Sequence, residues 1–239
     1  MKRKSLFLVG SWVVFLSIFA SHACVAGVVI EQIVKNKEVS SSKVVLSFSE
    51  SQVRTDHEQG GLTTIIDFKN DRMVMIDHRS KCYVEVKFSQ WEKEVSERLK
   101  KDLPPIKAKK KKITVKKTGE TATLNGFRTE KIEIWREGEL MEENWMTRDI
   151  DMREAEKVME KMAQGFSREF KSEMREGQEI YEKLKPYGFP ILVKDYSITY
   201  GLGAIEVLEV KKIGQRDLKE DVFIPPTGYE RIIPEPSKK

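Results

Sequence analysis

Two short acid–histidine pairs are the first places in this sequence to look for chemistry. Asp56-His57 and Asp77-His78 place a carboxylate directly before an imidazole, the residue types used in acid–base catalysis and zinc binding. Neighbouring residues on a strand point to opposite faces, so neither pair makes a catalytic dyad. The sequence has no HExxH motif, no third ligand beside them and no GxSxG motif. We interpret both histidines as polar strand-end residues and predict no enzyme activity, metal or cofactor.

A methionine-bearing stripe is the feature that most suggests binding. Between residues 152 and 174 apolar side chains recur every three or four positions, which predicts one continuous apolar helix face. Methionine is flexible and polarizable, and it suits a surface that accepts apolar ligands of variable shape. The alternative is an ordinary helix packed on its own sheet. The candidate ligand-binding residues are Met152, Met159, Met162, Phe166 and Phe170.

A dense lysine run precedes the second half of the chain. Such a run can face an anionic membrane surface, to which each lysine near the surface contributes about 1 kcal/mol. The alternative is a solvated loop. No aromatic residues interleave with the lysines, so the pattern disfavours nucleic acid as a partner. The candidate membrane contacts are Lys109, Lys110, Lys111 and Lys112.

Three further residues have simpler interpretations than a reactive site. Asp149 and Asp151 lie two residues apart, as in some divalent-ion sites, but Asp151 opens a capping box and is interpreted as a helix cap. Cys82 lies on the apolar side of a predicted strand, and we interpret it as a small buried hydrophobic residue.

The elements that position these residues are mostly strands. Alternation and turn signals predict strands at 28–34, 43–49, 62–68, 72–78 and 81–88. Further strands are predicted at 113–117, 122–124, 127–136, 139–148, 191–200, 204–213 and 222–224. Asn125-Gly126 and Glu137-Gly138 indicate tight hairpin turns. In the fifth strand the side carrying Cys82, Val84, Val86 and Phe88 is predicted to be more buried than the other side.

Two helical regions interrupt these strands. Ser89-Gln90-Trp91-Glu92 is a capping box, and the helix it opens ends before Pro104-Pro105. A second box at Asp151-Met152-Arg153-Glu154 opens a region that reaches about Lys185. The βαβ rhythm of a parallel sheet is missing from the sequence. We therefore predict an α+β fold with a large antiparallel sheet and helices on one of its faces.

The N-terminal 26 residues read as a secretory signal peptide. A basic start is followed by an apolar run from Leu6 to Ala20 and then by small residues. Cleavage fits after Ala23 or after Ala26, and the second leaves a single domain of residues 27–239. Two alternatives stay open, an uncleaved membrane anchor and a lipoprotein acylated on Cys24. All three predict a periplasmic or cell-envelope protein.

Removing the signal weakens the apparent basic character of the protein. The whole chain carries a formal charge of +5, and residues 1–26 contain three basic and no acidic residues, so the mature chain carries +2. This charge gives little support to nucleic-acid binding. With Cys24 removed, no intrachain disulfide can form, and stability must come from packing.

Seven short motifs resemble an uncharacterised domain-of-unknown-function family of exported bacterial proteins, which is itself similar to the LolA/LolB-like periplasmic lipoprotein carriers. The motifs are Gly27-Val28-Val29-Ile30-Glu31, Val53-Arg54-Thr55-Asp56, Thr64-Ile65-Ile66-Asp67, Arg72-Met73-Val74-Met75-Ile76-Asp77, Lys81-Cys82-Tyr83, Asn144-Trp145-Met146-Thr147-Arg148-Asp149 and Phe223-Ile224-Pro225-Pro226-Thr227-Gly228-Tyr229. The resemblance implies a half-barrel, a strongly curved antiparallel sheet whose concave face is covered by helices.

The resemblance also implies a function. In the characterised relatives the concavity receives acyl chains or an apolar peptide segment. The first expectation is therefore a non-enzymatic binding or carrier domain for an acyl or lipoprotein-like moiety. The second is an envelope interaction or sensor protein whose concavity is filled by its own helices and takes no small ligand.

Overall fold

The computed structural model describes residues 24–35, 41–102, 112–153, 155–158, 160, 175–196 and 207–233, and the statements below concern this part of the chain. It contains twelve strands: β1 Cys24–Lys35, β2 Ser42–Phe48, β3 Gln52–His57, β4 Leu62–Asp67, β5 Arg72–Asp77, β6 Cys82–Lys87, β7 Ile113–Leu124, β8 Phe127–Arg136, β9 Glu139–Thr147, β10 Phe189–Asp195, β11 Val207–Lys219 and β12 Glu230–Ile232. The helices are α1 Phe88–Asp102 and α2 Arg175–Leu184, with helical residues also at 153, 155–158 and 160. Two 3-10 turns span Lys185–Tyr187 and Glu220–Phe223.

All twelve strands form one open sheet in the order β12-β6-β5-β4-β3-β2-β1-β11-β10-β9-β8-β7. Every neighbouring pair is antiparallel except β12 and β6, which run parallel. Most neighbours are also consecutive in the chain, as expected of hairpins. The exception in the middle of the sheet is the pairing of β1 with β11, two strands far apart in the chain. The predicted α+β class with a large antiparallel sheet is confirmed.

The β7–β8 hairpin shows that the sheet is strongly curved. Its Asn125 side chain donates to the carbonyl oxygen of Val210 on β11, 2.8 Å away. In a flat sheet β8 and β11 would lie about 14 Å apart, since strands are spaced about 4.8 Å. The neighbouring Leu124 and Phe127 pack with Ile30 of β1. The sheet therefore curls toward the face that carries these residues, and we call that face concave and the other convex.

The helices lie on the concave face, as expected for a half-barrel. Ala155 and Val158 are buried there against the sheet, and Ile180 and Leu184 of α2 pack over β7–β9. Residues paired across neighbouring strands point their side chains to the same face of the sheet. Leu208, Val193, Asn144 and Ile132 are paired in this way from β11 to β8. The residues under Ala155 and those under α2 therefore belong to one face.

The convex face has a smaller core over β1–β6. Phe223, 1% exposed, is buried there among apolar side chains of four strands. This segment follows β11 and crosses the sheet before β12 pairs with β6. The predicted edge strand at 222–224 is therefore wrong: those residues form a 3-10 turn and bend, and the edge strand lies at Glu230–Ile232.

Other sequence predictions also need correction. β3 was not predicted, and the two strands predicted at 113–117 and 122–124 are one strand with an irregular register near Lys117. α1 begins at Phe88, and the Ser89 hydroxyl donates to Asp71 instead of capping the helix. The predicted turns at Asn125-Gly126 and Glu137-Gly138 are confirmed, with positive φ at all four residues.

The predicted contrast between the two sides of β6 holds only at its ends. Phe88 is buried and Lys81 is exposed, whereas residues 82–86 are all half-buried. The convex side of β6 is partly covered because Arg231 of β12 lies 3.3 Å from Glu85. This strand therefore has two half-buried faces.

Candidate functional site

All five methionines that the structure describes lie on the concave face. Met73 and Met75 alternate with convex-facing residues along β5, and the other three lie on or just after β9. Four of the five are 2–4% exposed, while Met75 is half-buried. Their long, unbranched side chains can repack around ligands of different shape. The methionines are Met73, Met75, Met141, Met146 and Met152.

The structure places only part of the predicted ligand lining. Met152 is 3% exposed and packs with Ala155 and Val158, which are both 0% exposed. This part of the stripe is therefore close-packed core. Met159, Met162, Phe166 and Phe170 lie outside the described residues.

The membrane-contact residues are described even less completely. Lys112 is exposed and immediately precedes β7, while Lys109, Lys110 and Lys111 lie outside the described residues.

A buried polar pair interrupts the apolar concave face. Asn144 is 2% exposed, and its side-chain N–H donates to Glu142 Oε2 at 3.1 Å. Burial raises the pKa of Glu142, the hydrogen bond from Asn144 opposes this, and the negative charges of Asp195 and Glu176 raise the pKa further. Asp195 is the direct cross-strand partner of Glu142, an arrangement that penalises two ionised carboxylates. The pair is the kind of convergent polar feature that orients a ligand in an apolar site.

On the convex face, Thr63 links an aspartate to a histidine. Thr63 is 1% exposed, and its hydroxyl donates to Asp56 Oδ1 at 2.5 Å. The hydroxyl has one proton, so the 2.8 Å contact with His78 Nε2 requires that nitrogen to donate. The other ring nitrogen then accepts from the Tyr229 hydroxyl at 3.0 Å when His78 is neutral. These contacts assign the Nε2–H tautomer to the neutral His78.

Arg54 completes this convex network and fixes its charge. Its guanidinium donates from Nε and one terminal nitrogen to the Asp56 carboxylate at 2.8–3.0 Å. Burial raises the pKa of Asp56, but the hydrogen bonds from Arg54 and Thr63 outweigh it, so this pKa lies below its ordinary value. Asp56 is thus held as the anion. The remaining Arg54 nitrogen donates to the Val222 carbonyl oxygen at 2.7 Å.

The sequence did not reveal this network. Asp56 and Thr63 are cross-strand partners on β3 and β4, and β3 itself was not predicted. The interpretation of His57 and His78 as unpaired with their preceding acids agrees with the geometry, since Asp77 accepts from the backbone N–H groups of Arg79 and Ser80. The sequence could have indicated this network only if the pairing of Asp56 on β3 with Thr63 on β4 had been known.

The other residues considered for chemistry have ordinary partners. Asp149 accepts from Arg128, and Asp151 accepts the backbone N–H of Arg153, the predicted capping role. Hydrogen bonds from the Arg153 side chain and backbone lower the pKa of Asp151 to about 2. Cys82 is half-buried, not fully buried as predicted, and its sulfur lies 2.9 Å from the Ser80 hydroxyl.

The described part of the chain holds neither a cluster of metal ligands nor a helix that could span a membrane. No group of three or more histidine, cysteine, aspartate or glutamate side chains in these ranges could hold a metal ion. Among the same residues, no helix is both long and apolar enough to cross a membrane.

The sequence profile of one protein family matches residues 27–229, which include the whole sheet except the first three residues of β1 and all of β12. The chain belongs to the family described as domain of unknown function DUF4412. Nearly all the described residues of this DUF4412 domain, including the concave methionines and the convex network, lie within the match. No curated protein matches the chain.

Solved structures similar to this DUF4412 domain include two crystal forms of PNGF-II. They align with 88% of the chain at 11% and 10% identity, with TM-scores of 0.36 and 0.34. The chain spans only 31% and 32% of the length of those proteins. An uncharacterized conserved protein from Thermus thermophilus is 8% identical, with a TM-score of 0.43 over 87% of this chain and 90% of that one.

Proposed function

We propose that this domain is a non-enzymatic binding or carrier protein that holds an apolar moiety, in particular an acyl chain, between the concave face and its helices. The observation that carries the proposal is the placement of all five described methionines on that one face. A core that needs only rigidity is better built from branched side chains with fixed rotamers. Methionine keeps the same surface apolar while allowing it to change shape.

Two further features support the proposal. The motifs that resemble the exported family lie largely on strands of this sheet. That family is similar to the LolA/LolB-like carriers, in which the concavity is the binding surface. The Glu142–Asn144 pair supplies a polar group within the same apolar face. We include export in the proposal because of the signal-like residues 1–26, and contact with an anionic membrane because of the lysine run.

The convex network supports the non-enzymatic part of the proposal. Asp56, Thr63 and His78 form a hydrogen-bonded chain of the types found in nucleophilic sites. Thr63 is 1% exposed, however, and its hydroxyl is engaged by both neighbours, so no substrate can approach it.

A second function is favoured by a different observation. Met152, Ala155 and Val158 are almost completely buried, so this part of the concave face is filled by the chain itself. A fully filled concavity would suit an envelope interaction or sensor protein without a small ligand.

Two methionines on one strand separate these functions. Met73 is 4% exposed and Met75 is half-buried on the same face of β5. Met73→Ala should lower the free energy of unfolding by about 2–5 kcal/mol, because it leaves a cavity in packed core. Met75→Ala should cost less stability but should weaken binding of a fluorescent fatty-acyl probe. A parent protein that binds no probe would exclude the carrier function and leave the second one.

A further inference from the structure

The C-terminal strap, residues 220–233, crosses the convex face, where Val222, Phe223 and Tyr229 pack in the apolar core. The Phe223 side chain is 1% exposed in a pocket formed by Val29, Ile65, Val74 and Ile76. Most of the strap's other residues are exposed.

Four side chains of the sheet contact the strap. Two of them bind only its backbone, and Glu85 lies 3.3 Å from Arg231 at its far end. Arg54 donates to the carbonyl oxygen of Val222 at 2.7 Å, and Arg72 donates to that of Phe223 at 3.1 Å. His78 contacts the Tyr229 hydroxyl at 3.0 Å, with the two rings edge to face. Recognition of this kind requires a segment that makes a 3-10 turn at its first aromatic residue and carries a second aromatic residue six positions later. It depends little on the rest of the sequence.

The binding groups on the sheet also have partners within the sheet itself. Asp56 fixes Arg54, Asp56 also accepts from Thr63, and the Thr63 hydroxyl accepts from His78. Arg72 lies 3.6 Å from Glu85 of the neighbouring strand. A surface whose donors are fixed in advance loses little entropy on binding. These residues form a preorganised receptor surface, and the strap is its occupant.

The far end of the strap is weakly attached to the sheet. β12 pairs with only three of the six residues of β6, and all three of its own residues are exposed. Pro234 follows within two residues and cannot donate to a longer ladder. Segments with few buried apolar contacts and exposed hydrogen bonds open locally before the whole fold does.

We infer that the convex surface around Arg54, Arg72 and His78 is a peptide-binding site, which the C-terminal strap occupies in the same chain. A partner protein occupies it through a segment that turns at a phenylalanine and carries a tyrosine six residues later. The strap shows that such a segment fits the surface. Its weakly attached end at β12 allows a partner segment to replace it. This site is independent of the acyl-binding function proposed for the opposite face.

The test uses a fluorescent peptide of residues 219–233 and full-length mature variants whose strap is weakened. Phe223→Ala and, as a milder variant, Tyr229→Ala are first checked for folding by circular dichroism. The peptide should bind either folded variant at least about tenfold more tightly than the parent, whose site is occupied. A peptide with alanine in place of its phenylalanine should lose that binding.

Paired arginine variants identify the surface. Adding Arg72→Met to the weakened variant should reduce peptide affinity by about tenfold or more, because Arg72 binds the strap backbone. Adding Arg79→Met should not, because Arg79 donates to Gln59. Equal effects of the two, or no peptide binding to a folded variant, would overturn the inference. Binding that also forms dimers of the parent at high concentration would assign the site to a second copy and overturn the assignment to a partner protein.

Hydrogen exchange of the parent provides an independent measurement that requires no variant. The Glu230 amide, bonded to Lys81, should exchange well before the amides of Ile65 and Val74 in the convex core. Exchange of the strap only with global unfolding would contradict the inference.

Discussion

Replacing Thr63 by valine tests the convex network while keeping the shape of the side chain. The Thr63 hydroxyl donates to the ionised Asp56 and accepts from His78, and both bonds are lost in Thr63→Val. A hydrogen bond to a charged group contributes about 1.5–3 kcal/mol and a neutral one about 0.5–1.5 kcal/mol. The free energy of unfolding should therefore fall by about 2–4 kcal/mol at pH 7.

The adjacent Thr64 provides the matched control. It lies on the same strand but on the concave side, where it is half-buried, and Thr64→Val removes no hydrogen bond of the network. Its free energy of unfolding should stay within about 0.5 kcal/mol of the parent. Urea unfolding followed by tryptophan fluorescence measures both variants. Equal losses at the two positions, or a loss below about 0.5 kcal/mol for Thr63→Val, would refute the reasoning.

The pH dependence of Thr63→Val has a defined sign. The folded pKa of Asp56 lies below its ordinary value, so the charged network contributes stability above that ordinary value and loses it as pH falls through the folded pKa. Without the Thr63 hydroxyl, the folded pKa should move back up. The stability difference between parent and variant should therefore be full at pH 7 and shrink below about pH 4. A difference that grows on acidification would contradict the assignment of Thr63 as donor to Asp56.

Three further predictions concern the backbone, the concave face and the N-terminus. Gly188→Ala should lower the free energy of unfolding in urea by several kcal/mol, because φ is 99° and a Cβ would lie 2.0 Å from the Thr147 carbonyl oxygen. Gly177→Ala in α2 has open space around it and should instead raise the free energy of unfolding by about 1 kcal/mol. Glu142→Gln should raise the urea midpoint at pH 8 but not at pH 4, because the raised folded pKa of Glu142 makes stability decline as pH rises through it. Glu143→Gln should lower the urea midpoint at pH 8, because the folded pKa of Glu143 is lowered. A rise of the pH 8 midpoint in both variants would be inconsistent with these pKa directions. N-terminal sequencing of the exported form should find a start at or near Gly27, whereas a retained Met1 would indicate an anchor and an acylated Cys24 a lipoprotein.

The sequence predicts the hairpins of this fold well because their signals are local. Asn125-Gly126 and Glu137-Gly138 adopt the positive φ angles that their residue types favour. β3 was missed because Arg54 and Asp56 make its convex side polar, and a strand with a charged buried side lacks the expected alternation. The apolar run at 222–224 suggested a strand, but its phenylalanine enters the convex core instead.

The candidate sites differ in how far the sequence could show them. The methionine stripe was visible as a helix pattern, but the packing of Met73 and Met75 of β5 in the same core as Met152 was not. The convex network could not be predicted, because it joins Arg54 to Val222 and His78 to Tyr229 across more than 150 residues of chain. Only the register of the sheet and the path of the strap bring these residues together.

The central claim, that the concave face holds an acyl chain, is tested most directly by lipid mass spectrometry of the protein purified without detergent from its native source. The proposal predicts that an acyl-bearing molecule co-purifies with the parent in near-stoichiometric amount. It also predicts that folded Met75→Ala retains less of that molecule, while Thr64→Val, which keeps the side-chain shape on the same face of the neighbouring strand, retains it. A folded parent protein that carries no acyl species and gains none from added fatty acid would contradict the claim.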